Sequence, residues 1–191
     1  MLLLSSCDDY LWFPVQSLSP FCSEKTRVSL PGIEGKWEPE LPEGTNVQDR
    51  NLTPWLFSKD EIESYDTGNR FFSLGACYFK INDVLFANFT LGPKTPDINN
   101  NHILFGITPI HTLWKVQMTD ETLTLVPLKY DWFEKMIQEN KLERLPYHLD
   151  KNVILIIFTA STEQWDDFLK EHANDEEIFD IKHKFVFKRK K

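Results

Sequence analysis

The sequence predicts a mainly β or α+β domain: an antiparallel sheet or open barrel with two late helices. Three observations carry that expectation. Two aromatic-rich runs, Phe71 to Ile81 and Val84 to Leu91, are separated only by Asn82-Asp83. This is the pattern of a hairpin with a two-residue turn. Thr112, Trp114, Val116 and Met118 alternate with Leu113, Lys115 and Gln117, the period-two signature of a strand with one buried face. Helical periodicity with capping signals arrives only after these strands.

The elements follow in order. Residues 8–32 read as a tether and arm, broken by Pro14, Pro20 and Pro31, with Leu11, Trp12 and Phe13 available to dock it. Residues 39–54 read as a loop. Residues 58–65 read as a short helix capped by Ser58, with Glu61 three positions on. The hairpin comes next, then a Gly/Pro/Asn loop over 92–102 and the alternating strand. Thr119-Asp120-Glu121 turns the chain into a second hairpin through Leu123 and Leu125. Asp131 and Glu134 form a capping box for a helix over 132–140, with Trp132, Phe133, Met136 and Ile137 as its apolar stripe. Val153 to Phe158 is an unbroken apolar run, read as a strand buried on both faces. Ser161 and Gln164 make another capping box, and Trp165, Phe168, Leu169 and Ala173 share one helical face. Its outer face is acidic, with Asp166, Asp167 and Glu171. Phe185 and Phe187 alternate in a last strand.

Composition sets bounds. A chain of 191 residues favours one domain, here residues 33–191. The 15 Phe and 6 Trp point to a core or cleft built from rings. No run approaches the roughly 18 apolar residues of a transmembrane helix. The net charge of −8 argues against a nucleic-acid partner. Residues 182–191 hold six Lys/Arg and no acid, leaving −14 elsewhere (15 basic minus 29 acidic). That stretch reads either as a solvated chain end or as a contact for anionic headgroups.

The N-terminal Leu4-Ser5-Ser6-Cys7 resembles the lipobox of bacterial lipoproteins, in which the cysteine receives a lipid. Residues 1–7 would then be a signal-peptide remnant and lipobox, with Cys7 the anchor point to a membrane. No Lys or Arg precedes Cys7 and the apolar stretch is short, so this reading needs an upstream start. The competing reading is an ordinary apolar N-terminus. If Cys7 is lipidated, Cys22 and Cys77 remain, either as a disulfide or as two independent thiols.

Gly35-Lys36-Trp37 resembles the Gly-x-Trp motif that opens lipocalin-like barrels. The resemblance implies that Trp37 closes the barrel floor and that Gly35 permits a tight backbone turn over it. The layout also resembles uncharacterised bacterial lipoproteins, through Pro109, His111, Thr112 and Trp114, then Thr159, Ala160, Ser161, Thr162 and Glu163. That second resemblance implies no activity.

Catalytic signatures are missing: no nucleophile elbow, Walker loop, dinucleotide fingerprint or zinc-protease motif occurs. No Cys/His spacing points to a metal, and no cofactor is implied. Trp37, Phe79, Phe86 and Trp114, with Phe71, Phe72, Tyr78 and Phe89, either line a cavity for an apolar ligand or fill the core. His111 opens a patterned strand beside Trp114 and is the best acid–base candidate. Its competing reading is a ring hydrogen-bonded at a strand end. His148 with Asp150 reads as a solvated loop pair. The expectation is a non-enzymatic, lipid-anchored protein of the bacterial cell envelope, on its periplasmic or outer face. It would bind an apolar small molecule or an envelope partner protein. The alternative is an envelope hydrolase using His111 and a nearby carboxylate.

Overall fold

The structure, a computed structural model, describes residues 15–40, 53–65, 71–92, 110–150 and 155–190. Its centre is a closed antiparallel barrel of eight strands. β2 (Gly35–Pro39), β3 (Trp55–Phe57), β4 (Glu61–Tyr65), β5 (Phe71–Ile81), β6 (Val84–Leu91), β7 (His111–Met118) and β8 (Thr122–Pro127) each pair with the next. β11 (Phe185–Arg189) lies between β8 and β2 and closes the ring. The expected open barrel is therefore closed. The closing pairs are non-local, and strand periodicity carries no information about them.

β1 (Gln16–Ser17), β9 (Tyr147–Asp150) and β10 (Leu155–Phe158) extend the same sheet. β8 follows one edge of β7 from Met118 to Trp114, and β1 takes over that edge at Thr112 and His111. β10 then pairs parallel to β1, and β9 antiparallel to β10. Two helices, α1 (Tyr130–Gln138) and α2 (Thr162–His172), cover this extension.

Side-chain alternation sorts the apolar residues into two cores. Trp37, Phe57, Ile62, Tyr78, Phe89, Trp114, Leu123 and Phe187 fill the barrel. Phe79, Ile81, Phe86, Leu113 and Val126 face outward and meet Phe133, Ile137, Phe158, Trp165 and Leu169 of the helical layer. β5, β6 and β7 are thus buried on both faces, which explains their density of rings.

The β5–β6 turn is as the sequence predicts. Asn82 (φ 49°) and Asp83 (φ 63°) both take the left-handed conformation that this turn demands. The α2 capping box is complete: Ser161 Oγ accepts from Gln164 N–H, and Gln164 Oε1 accepts from Ser161 N–H.

Four expectations change. Residues 61–65 are a strand, not a helix. Ser58 and Glu61 form a tight turn through Ser58 N–H to Glu61 O (2.8 Å), and Ile62 and Ser64 alternate inward from there. Asp131 does not cap α1, which starts two residues earlier than expected, behind Lys129, whose N–H is spent on Ile178 O (2.7 Å). The basic stretch is not a loose chain end: its backbone forms β11, and its exposed Lys188 and Lys190 pair with Glu40 and Glu38. The described part of the arm, residues 15–32, packs into the body rather than serving as a tether, with Val15 and Phe21 at 1% exposure or less. Cys7, Leu11, Trp12 and Phe13 lie outside the described residues.

Candidate functional site: the two ends of the barrel

One end of the barrel, its floor, is built around Gly35 and Trp37. Trp37 is fully buried and donates from Nε1 to Ile33 O (2.8 Å). The Arg189 guanidinium lies 4.1 Å from the centre of the Trp37 ring. It donates to Asp120 O (2.7 Å), Glu34 O (3.1 Å) and Gly32 O. Gly35 takes φ +131°, and a Cβ there would meet Arg189 Nη1 at 3.3 Å. The glycine therefore serves both a backbone conformation and the approach of the guanidinium. Arg189 was not among the residues singled out from sequence; its position two residues after Phe187 in an alternating strand was the available signal.

Above the floor the interior is filled. Phe57 and Phe187 centroids lie 5.7 Å apart, and Phe187 meets Trp55 at 5.1 Å. The opposite end is different. Trp55, Phe72, Trp114 and Phe185 all face inward there, with Trp55–Phe72 at 5.4 Å and Trp114–Phe185 at 5.6 Å. Trp55 and Phe72 are half-buried, and Phe185 is 39% exposed. Trp114 Nε1 is satisfied by Thr112 Oγ1 (3.0 Å), leaving its ring as apolar wall. Tyr65 and Phe71 meet edge to face on the outer rim, with Tyr65 49% exposed. This ring-lined end is the barrel mouth.

The sequence-named residues divide. Trp37 lies in the floor and Trp114 in the mouth. Phe79 and Phe86 pair across β5 and β6 on the outer wall (5.4 Å) and face the helical layer, so they do not line the interior. Both faces of that hairpin are apolar, so alternation could not say which one turned inward. Trp55 and Phe185 take their place.

His111 also faces outward, against the N-terminal segment. Asn88 Oδ1 accepts from Phe21 N–H (3.1 Å), so its Nδ2 must be the atom that donates to His111 Nδ1 (3.2 Å). That bond places the imidazole proton on Nε2, and burial lowers the pKa of the ring, favouring the neutral form. The described partner of His111 is therefore an amide rather than a carboxylate. His148 sits on β9, a strand rather than the expected loop.

Cys22 and Cys77 are joined in a disulfide (Cα–Cα 6.3 Å) that fixes the N-terminal segment to β5. Beside it Phe21 packs on Trp165 (4.6 Å). Among the described residues no cluster of three His, Cys, Asp or Glu is placed to hold a metal ion, and no helix is long and apolar enough to cross a membrane. The closed antiparallel eight-stranded barrel with its two helices is consistent with a lipocalin-like barrel. Comparison with protein-family models, curated proteins and solved structures gives no match.

Proposed function

We propose that this chain is a lipid-anchored protein of the bacterial envelope that takes an apolar small molecule at the barrel mouth. The observation that carries the reading is the inward-facing set Trp55, Phe72, Trp114 and Phe185 at one end of the barrel, where Trp114 is buried, Trp55 and Phe72 are half-buried and Phe185 is 39% exposed. Partly exposed rings gathered at one end cost free energy in water and gain it on covering. The Cys22–Cys77 disulfide supports residence in an oxidising compartment, and Leu4-Ser5-Ser6-Cys7 supplies the tether.

The test is titration with a neutral fluorescent probe, N-phenyl-1-naphthylamine. Saturable binding is expected, and the double variant Trp55→Ala/Phe185→Ser weakens it about tenfold or more, since each buried ring contributes about 1.5–3 kcal/mol. Leu56→Ser is the control: Leu56 is 42% exposed, but its side chain lies on the outer wall. Equal binding by the double variant and the wild type defeats the mouth as the site. Intact mass of protein expressed with its upstream coding region tests the anchor. A chain starting at Cys7 with added lipid mass is expected, and an unmodified chain retaining Met1 refutes it.

A further inference from the structure

A cleft of about 280 Å³ opens at the floor end, away from the mouth. It is a notch in the barrel wall along the edge of β5. On one side the β3–β4 turn reaches β5 through Ala76 N–H to Asp60 O (2.8 Å). On the other the N-terminal segment reaches it through Val28 N–H to Tyr78 O (2.8 Å) and the bridge of Arg27 to Phe79. The notch between these attachments is lined by Glu24, Arg27, Val28, Ser29, Lys59 and Tyr78.

Its charges are unspent. Arg27, Lys59 and Glu24 form no ion pair and no side-chain hydrogen bond among the described residues, although all three line one small cleft. Unpaired cations in a chain of net charge −8, which has ample acid to pair them elsewhere, are in a position to receive a ligand. Guanidinium geometry suits a planar carboxylate, which it can grip with two parallel hydrogen bonds. Glu24 on the wall, with Asp60 next to Lys59 in sequence, disfavours a multiply charged anion and suits a positive group. The volume lies just below the range typical of drug-sized ligands, which fits a small molecule. We propose that this cleft binds a small zwitterionic amino-carboxylate, its carboxylate on Arg27 and Lys59 and its ammonium on Glu24.

The experiment is amide NMR of the folded chain titrated with L-alanine, acetate and ethylamine. Alanine is expected to shift the resonances of residues 24–29 and 59 saturably, with acetate and ethylamine each binding at least about tenfold more weakly. Arg27→Gln weakens alanine about tenfold or more, the scale of one charged hydrogen bond. Arg27 is exposed, so the variant keeps the fold, and its unchanged spectrum elsewhere verifies this. Any of three results overturns the assignment: no saturable shift with alanine, acetate binding as well as alanine, or Arg27→Gln binding like the wild type.

Discussion

Arg189→Lys keeps the charge at the barrel floor and removes the fork, so it isolates what the guanidinium does. Arg189 donates to three backbone carbonyls, those of Asp120, Glu34 and Gly32, and covers the Trp37 ring at 4.1 Å. These come from two separate segments: the β7–β8 turn and, at two points, the approach to β2. A single ammonium can reach one of them. Each lost bond is worth about 1 kcal/mol, discounted because water can replace a partly exposed partner. The cation–π contact adds about 0.5–1 kcal/mol at such a site. The expected loss is about 2–3 kcal/mol, and Arg189→Met loses about 1 kcal/mol more. Urea unfolding followed by tryptophan fluorescence reads this directly, because Trp37 lies under the guanidinium. An unchanged midpoint in Arg189→Lys would refute the idea that the fork ties the floor together.

Two further outcomes follow from the same contacts. Reducing the Cys22–Cys77 disulfide, or replacing both cysteines by Ser, releases a loop of 55 residues and should cost ~4 kcal/mol on chain-entropy grounds. Calorimetry of oxidised and reduced protein should show a fall of roughly 8–16 °C, and coincident melts would contradict the cross-link. His111 makes stability depend on pH. Its folded pKa lies below the ordinary 6.5, so the unfolded chain takes up the proton first as pH falls. The stability owed to this group is present above about 6.5, declines below it, and levels once the folded ring also protonates. Urea midpoints of the wild type and His111→Gln should therefore converge between pH 7.5 and pH 5, and a gap that stays constant would show that the buried ring is not the titrating group.

What was legible in the sequence was local. Asn82-Asp83 announced its turn because only a short list of residues tolerates positive φ at two successive positions. Ser161 and Gln164 announced α2 because their reciprocal hydrogen bonds need nothing beyond that turn of chain. Closure of the ring was not legible, because β11 meets β2 across about 150 residues. Nor was the inner face of the β5–β6 hairpin: Phe79 and Phe86 look outward onto rings, and Tyr78 and Phe89 look inward onto rings. Alternation reports that two faces exist, and burial on both erases the label that would tell them apart. Ser58 and Glu61 carried a true turn signal, but the same two residues that can open a helix here close a hairpin corner.

The placement of β11 also sets an order of events for the growing chain. Seven barrel strands are made in succession, each beside its predecessor, and could zip locally as they emerge. The eighth is separated from them by the whole helical layer, residues 128–184. Until Phe185 to Arg189 has been synthesised, β2 and β8 both present unpaired edges, and Trp37 lacks its guanidinium cover. A partly made chain is therefore an open sheet with two sticky borders. The long-range closure that completes the barrel is the kind of contact that slows folding. A truncation removing five residues of β11 would leave not a shortened barrel but an unclosed one.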